Sequence, residues 1–206
     1  METELISNKQ QQIENVLNSA INYKVYSEQM THFFESKSTS GADQSEGLIE
    51  YTALNYQRMK RLDKTIKVDD TQIKEFQKLN KEINWLIITE AWCGDAAQVI
   101  PVLNKMAEAT KTIKIKLAYR DQHPQLMDMF LTNGARSIPK LIALDRNHNI
   151  LYTWGPRPAE ATKMVNDFKI KNGDLTPQFK QDLQIWYNKN KGQGVIHDQL
   201  LLLNKQ

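Results

Sequence analysis

From about residue 84 to residue 168 the chain switches repeatedly between two apolar periodicities, and this alternation restricts its fold more than any other feature of the sequence. Trp85-Leu86-Ile87-Ile88-Thr89 is a short β-prone run, apolar on both faces, as a central strand is. Val99, Ile100, Leu103, Met106 and Ala107 then recur at helical spacing, with Pro101 inside the helix, where it removes a backbone hydrogen bond and is expected to cause a kink. Ile113, Ile115 and Leu117 alternate with Lys114 and Lys116, the period of a strand. Leu126, Met129 and Phe130 suggest another helix. Leu141 to Leu144 and Ile150 to Trp154 flank the polar turn Asp145–Asn149 and read as an antiparallel hairpin. Ala161, Met164, Val165 and Phe168 form a closing helix, which Asn172-Gly173-Asp174 ends. Strand, helix, strand, helix, hairpin, helix is the order of an α/β fold, a central mixed sheet with helices packed on its faces.

The flanks read as helical. Ile13, Val16, Leu17, Ala20 and Ile21 lie at i, i+3, i+4, i+7 and i+8, one apolar helix face. Ser36 to Gly47 is small, polar and glycine-bearing, so a loop is expected there. A second helix is expected from about Leu48 to Leu62. A third, capped by Asp70 or Thr71, would place Ile73, Phe76 and Leu79 on one face. After the α/β region, Leu175, Phe179, Leu183, Trp186 and Tyr187 make one more amphipathic helix before a short tail.

Composition sets aside several functions. Lys and Arg total 27 against 24 Asp and Glu, and they are scattered, so no basic face for nucleic acid is expected. The apolar runs are far too short to span a bilayer. The stretch from Met1 to Gln12 is polar and lacks the apolar core of a signal peptide, which gives the expectation of a cytoplasmic protein. His32, His123, His148 and His197 are widely spaced, with no i, i+4 pair and no second cysteine, so no metal is expected. No glycine-rich phosphate loop or serine-nucleophile motif is present.

Cys93 is the only cysteine among 206 residues, and it lies at the turn between the first strand and the following helix, in Glu90-Ala91-Trp92-Cys93-Gly94-Asp95-Ala96. Four segments, in order, resemble the thioredoxin family. Trp92-Cys93-Gly94 matches the start of its Trp-Cys-Gly-Pro-Cys, and Pro101 stands where thioredoxins kink the active-site helix. Asp121-Gln122-His123-Pro124 is similar to its Asp-x-x-Pro, and Gly134-Ala135-Arg136-Ser137-Ile138-Pro139 to its Gly-x-Arg-x-Ile-Pro, which carries the family's cis-proline. More narrowly, the Cys-Gly-Asp-Ala-Ala-Gln run is similar to bacterial thioredoxin-family proteins of unassigned function. The resemblance implies a thioredoxin-like domain over residues 70–170, preceded by an N-terminal helical extension over 1–69 and followed by a C-terminal helix and tail over 171–206.

The departures from the family carry equal weight. Ala96 replaces the resolving cysteine, Asp95 replaces the usual proline, and Ile87 stands where thioredoxins bury a proton-moving aspartate. A cysteine at a helix N-terminus typically has its pKa lowered from about 8.5 into a range of about 3.5 to 7.5. Asp95 opposes that with like charge, and the hydrogen bond from a second thiol is gone. The resemblance therefore implies monothiol exchange on protein or small-thiol mixed disulfides. Cys93 would be the nucleophile, Trp92, Gly94 and Asp95 would lie at the substrate, and Ile138 and Pro139 would dock an extended backbone. No metal or bound organic cofactor is required, and a small thiol serves as co-substrate. Arg136 could meet an anionic thiol ligand or be simple surface charge, and Arg157 could contact an anion. The competing expectation is a non-catalytic thioredoxin-fold interaction module in which Cys93 is only a small apolar residue.

Overall fold

The computed structural model describes residues 2–79, 81–110 and 112–205, with side chains of the first helix described from Asn8 onward. Met1 and Gln206, the outer ends of the two expected extensions, lie outside the described residues.

Strand β1 (Ile83–Thr89) is the axis of the sheet. Trp85, Leu86, Ile87 and Ile88 have no exposed surface, as a strand covered on both faces requires. β1 pairs in parallel with β2 (Ile113–Tyr119), and antiparallel with β3 (Lys140–Leu144), which pairs antiparallel with β4 (Ile150–Trp154). The order β2-β1-β3-β4 is a mixed four-stranded sheet. The expected hairpin is β3–β4, and its turn is held by the Asp145 carboxylate, which accepts from the backbone N–H of Asn147 and Asn149. Ile87 lies between Leu117 and Leu141 in register, so the position of the family's buried aspartate is wholly apolar here.

The helices in chain order are α1 (Glu2–Ser19), α2 (Tyr23–Glu35), α3 (Glu46–Thr65), α4 (Asp70–Gln77), α5 (Gly94–Glu108), α6 (Pro124–Asp128), α7 (Ala159–Asn172), α8 (Pro177–Asn190) and α9 (Gln193–Leu203). α5 runs unbroken through Pro101, and every residue from Ala96 to Asn104 is buried. Tertiary packing on all sides holds this helix against the local cost of the proline. The result is the α/β, thioredoxin-like architecture expected from the order of strands and helices.

Several local expectations are corrected. The first apolar face stops at Ser19; Ile21 instead forms an antiparallel bridge to Leu117, exchanging both backbone hydrogen bonds and covering the outer edge of β2. Asn22 then caps α2, a helix not expected from the pattern, by accepting from the Val25 N–H. The cap of α4 is Asp69 rather than Asp70 or Thr71, because Gln72 sits three residues later and completes a capping box. α6 is shorter than the spacing predicts: Met129 is already its C-cap and Phe130 lies beyond it. The expected C-terminal tail contains α9, which starts after the left-handed pair Lys191 and Gly192.

α9 is not peripheral. Its Asp198 accepts from the Trp154 indole N–H and from the Ala159 N–H that opens α7. Its Gln199 accepts from Tyr152, whose hydroxyl in turn accepts from the Trp85 indole. Buried residues from Ile13 to Leu203 form one contiguous apolar cluster, so both extensions complete the core of the sheet domain.

Candidate functional site

The turn from β1 to α5 holds Cys93 as the N-cap of α5, in extended backbone conformation. The Ala96 N–H points at Cys93 Sγ at 3.4 Å, and the thiol faces the Ile138 carbonyl oxygen at 3.3 Å. Ile138 precedes Pro139 through a cis peptide bond. The thiol therefore lies between one donor and one acceptor. A thiolate could accept from Ala96 but would meet the Ile138 carbonyl as a repelling dipole, whereas a neutral thiol uses both.

Gly155 supports this loop from below. It has φ +109°, and a side chain there would collide with the Pro139 carbonyl oxygen, so only glycine lets the chain pass under the proline.

The first turn of α5 is covered by elements from both extensions. Asn55 of α3, fully buried, donates to the Ala91 carbonyl at 2.9 Å. The guanidinium of Arg58, also on α3, lies against Gly94, 3.4 Å from where a Cβ would stand. From α8, the Tyr187 hydroxyl donates to Asp95 Oδ1 at 2.9 Å. Arg157, just after β4, reaches Asp95 Oδ2 at 2.6 Å. Asp95 is thus committed to an internal, largely buried ion pair, and the anion that Arg157 contacts is Asp95. Arg136 forms a two-pronged pair with Asp128 at 2.6 Å on the surface. Trp92 is half-buried, with the Arg120 guanidinium 4.9 Å above its ring.

The expected polar loop before α3 docks on the same turn. Ser40 accepts from the Ala91 N–H at 2.8 Å and donates to the buried Glu90 carboxylate through a short hydrogen bond. Glu90 also accepts from the Asp121 N–H at 2.8 Å. Burial raises the Glu90 pKa, against the lowering effect of these two donors.

These contacts decide the electrostatics of the thiol. Cys93 is 8% exposed. Burial pushes it up to about 12, the Asp95 carboxylate adds to the rise, and the N–H groups of Ala96 and Asp95 together with Arg157 oppose it. The helix-terminus effect expected from the sequence is present, but desolvation outweighs it. Burial also raises Asp95, with Arg157 and Tyr187 acting the other way.

Cys93, Gly94 and Asp95 therefore stand at the start of α5 beside Trp92, and the Ile138 carbonyl, just before Pro139, meets the thiol from a separate loop. Asn55, Arg58 and Ser40 lie outside every motif, Glu90 only opens the stretch that holds Cys93, and Tyr187 is expected from the sequence only as part of an apolar helix face. One signal for α3 existed: Thr52 and Asn55 interrupt the apolar face continued by Met59 and Leu62, which marks polar side chains turned inward. Among the described residues no group of three or more His, Cys, Asp or Glu side chains could hold a metal ion. No helix among them is long and apolar enough to cross a membrane.

Comparison with known proteins adds to this geometry. A family profile described as thioredoxin matches residues 41–169. No curated protein matches the sequence significantly. A solved structure of a protein of unknown function from Pseudomonas aeruginosa is similar over 92% of this chain and 95% of that one, with a TM-score of 0.62 and 14% identity. An HIV epitope-scaffold structure is similar over 90% of this chain and 99% of that one, with a TM-score of 0.57 and 13% identity. At such identities these two likenesses speak for the fold alone, and they extend across the helical extensions as well as the sheet.

Proposed function

This chain belongs to the thioredoxin family, and from that premise we propose that it is a monothiol exchange protein that keeps its single site sulfur in reserve as a neutral, covered thiol. The observation that carries the reading is the position of Cys93 Sγ, at the first turn of α5 and 3.3 Å from the carbonyl that precedes Pro139. That is where a nucleophilic sulfur and an extended substrate backbone meet.

In the proposed reaction the Cys93 thiolate attacks one sulfur of a mixed disulfide. A new disulfide forms between Cys93 and that sulfur, and the other sulfur leaves as a thiolate. With no second cysteine in the chain, a small thiol must attack the Cys93 disulfide and release Cys93, leaving the small thiol joined to the group that Cys93 had carried. The substrates are protein or small-thiol mixed disulfides. The proposed setting is the cytoplasm, where small thiols are kept reduced. The single-cysteine Cys-Gly-Asp-Ala motif, shared by resemblance with bacterial proteins, belongs to the same proposal.

Reactivity in this reading requires the cover over the turn, Tyr187 included, to move aside, since burial disfavours the thiolate. Asp95→Asn removes a like charge beside the sulfur while Arg157 stays. The rate of exchange with an aromatic disulfide reporter at pH 8 should rise at least about tenfold, the effect of lowering the thiol by about one pKa unit. Tyr187→Phe, which loosens the cover without changing charge, should move the rate the same way. Cys93→Ala should abolish the reaction. Folded Asp95→Asn and Tyr187→Phe proteins that exchange no faster than the parent would defeat the reading.

A second reading is favoured by one observation, the burial of Cys93. A protonated, covered cysteine together with the apolar Ile87 suits a thioredoxin-fold interaction module that does no chemistry. Under that reading Cys93→Ala leaves partner binding intact and the exchange rates of the variants stay flat.

A further inference from the structure

A groove of about 380 Å³ opens between α3, α5 and α8, and two of its lining residues, Arg58 and Gln184, lie against Gly94. Arg58 and Arg61 line it together with the amides of Gln57, Gln98, Gln184 and Asn188, and no carboxylate contributes to its wall. The volume suits a metabolite-sized molecule.

The two arginines form a close cationic pair. They sit three residues apart on α3, so their like charges are neighbours on one helix face. Both are held by neutral oxygens. Arg58 Nη1 donates to Asn55 Oδ1 at 2.9 Å, and Arg61 Nη2 donates to Asn188 Oδ1 at 2.7 Å. Neither forms an ion pair with a carboxylate among the described residues, whereas Arg120, Arg136 and Arg157 each hold one. Burial lowers the Arg58 pKa, and the charge of Arg61 lowers it further. Asp95, the carboxylate nearest in effect, is already engaged by Arg157 and Tyr187. Two guanidiniums oriented by asparagines, mutually repelling and not paired to a carboxylate among the described residues, can each donate to the oxygens of a carboxylate or phosphate.

Across the groove, Gln98 and Gln184 bridge α5 to α8 at 2.8 Å. They offer amide donors and acceptors to whatever lies beside the arginines. The Arg58 guanidinium rests against the first turn of α5, whose dipole adds further positive potential.

We infer that this groove is a binding site for a small organic anion, with a carboxylate or phosphate group seated between Arg58 and Arg61 and the rest of the molecule along Gln98, Gln184 and Asn188. The site does not depend on the chemistry of Cys93, although an occupant would lie beside the turn that carries it.

Thermal unfolding of the full chain tests this, with citrate and inorganic phosphate titrated separately at constant ionic strength maintained by chloride. A saturable rise in Tm of a few degrees is expected with at least one of the two. A response to phosphate alone assigns a phosphoryl headgroup, and a response to citrate alone assigns a carboxylate. Arg58→Gln and Arg61→Gln should each remove the response. Leu54→Glu, at an exposed rim position, should also remove it by placing a carboxylate within the groove while leaving both arginines in place. Cys93→Ala should retain it, which separates this site from the exchange reading. No saturable shift with either anion, or an equal shift in the arginine variants, overturns the inference.

Discussion

At pH 8, Cys93 of the native chain should alkylate about 10³-fold more slowly than the same cysteine in the unfolded chain. A thiol pushed up to about 12 is ionised to a fraction of about 10⁻⁴ at pH 8, against about one quarter for a free cysteine of pKa about 8.5. Restricted access adds to this electrostatic factor, since only 8% of the residue is exposed. The measurement is the pH dependence of labelling by a small alkylating agent, with Cys93→Ala as the blank and a denatured sample as the reference. A native rate within tenfold of the denatured one at pH 8 would contradict the buried geometry.

The same group links stability to alkaline pH. Its folded pKa lies above its unfolded value, so the native state holds the proton more tightly. The stabilisation is complete below about 8.5 and is lost as pH rises toward 12, at up to about 1.4 kcal/mol per pH unit. Tyr23, Tyr26, Tyr119, Tyr152 and Tyr187 are also raised, chiefly by burial, so their contributions are lost above about pH 10. Cys93→Ala should therefore flatten the stability profile between about pH 8.5 and 10, leaving the tyrosine-driven fall above it.

Arg157→Met should destabilise the fold by about 3–5 kcal/mol at neutral pH, the cost of leaving one partner of a buried ion pair alone. The pair is close, at 2.6 Å, and its side chains are 22% and 12% exposed. Without Arg157, the Asp95 carboxylate retains only the Tyr187 hydroxyl as a side-chain donor. Its pKa, already raised by burial, would rise further. A raised carboxylate weakens the fold where it is charged, so the loss should be greatest at neutral pH and partly recovered at a lower pH, as the group protonates. Adding Asp95→Asn should recover part of the loss, because the orphaned charge is then gone. Urea unfolding at the two pH values gives the comparison. A neutral-pH change below about 1 kcal/mol would mean that the pair acts as an exposed one does.

Much of the fold was legible because its signals are local. The period-2 run at Ile113, Ile115 and Leu117, the doubly apolar Trp85–Thr89 and the polar turn after Leu144 each depend on residues within one element. The misses arose where a cap or a partner overrode periodicity. Ile21 left its helical face to bridge β2, and Asp69 took the cap because Gln72 could close the box.

Within the site, the neighbourhood of Cys93, Gly94, Ile138 and Pro139 followed from motifs carried by a short turn and one loop. The sequence by itself determined the sulfur's place at the head of a helix and the absence of a second thiol in the chain. What it could not determine was the state of that sulfur. Ser40, Asn55, Arg58, Arg157 and Tyr187 come from a loop, from both helical extensions and from the segment after β4, and no spacing announces their meeting at the turn. A thiol's ionisation depends on how much water and which charges surround it. Those are set by packing between segments distant in the chain, so only the tertiary structure decided that burial and Asp95 would outweigh the helix terminus.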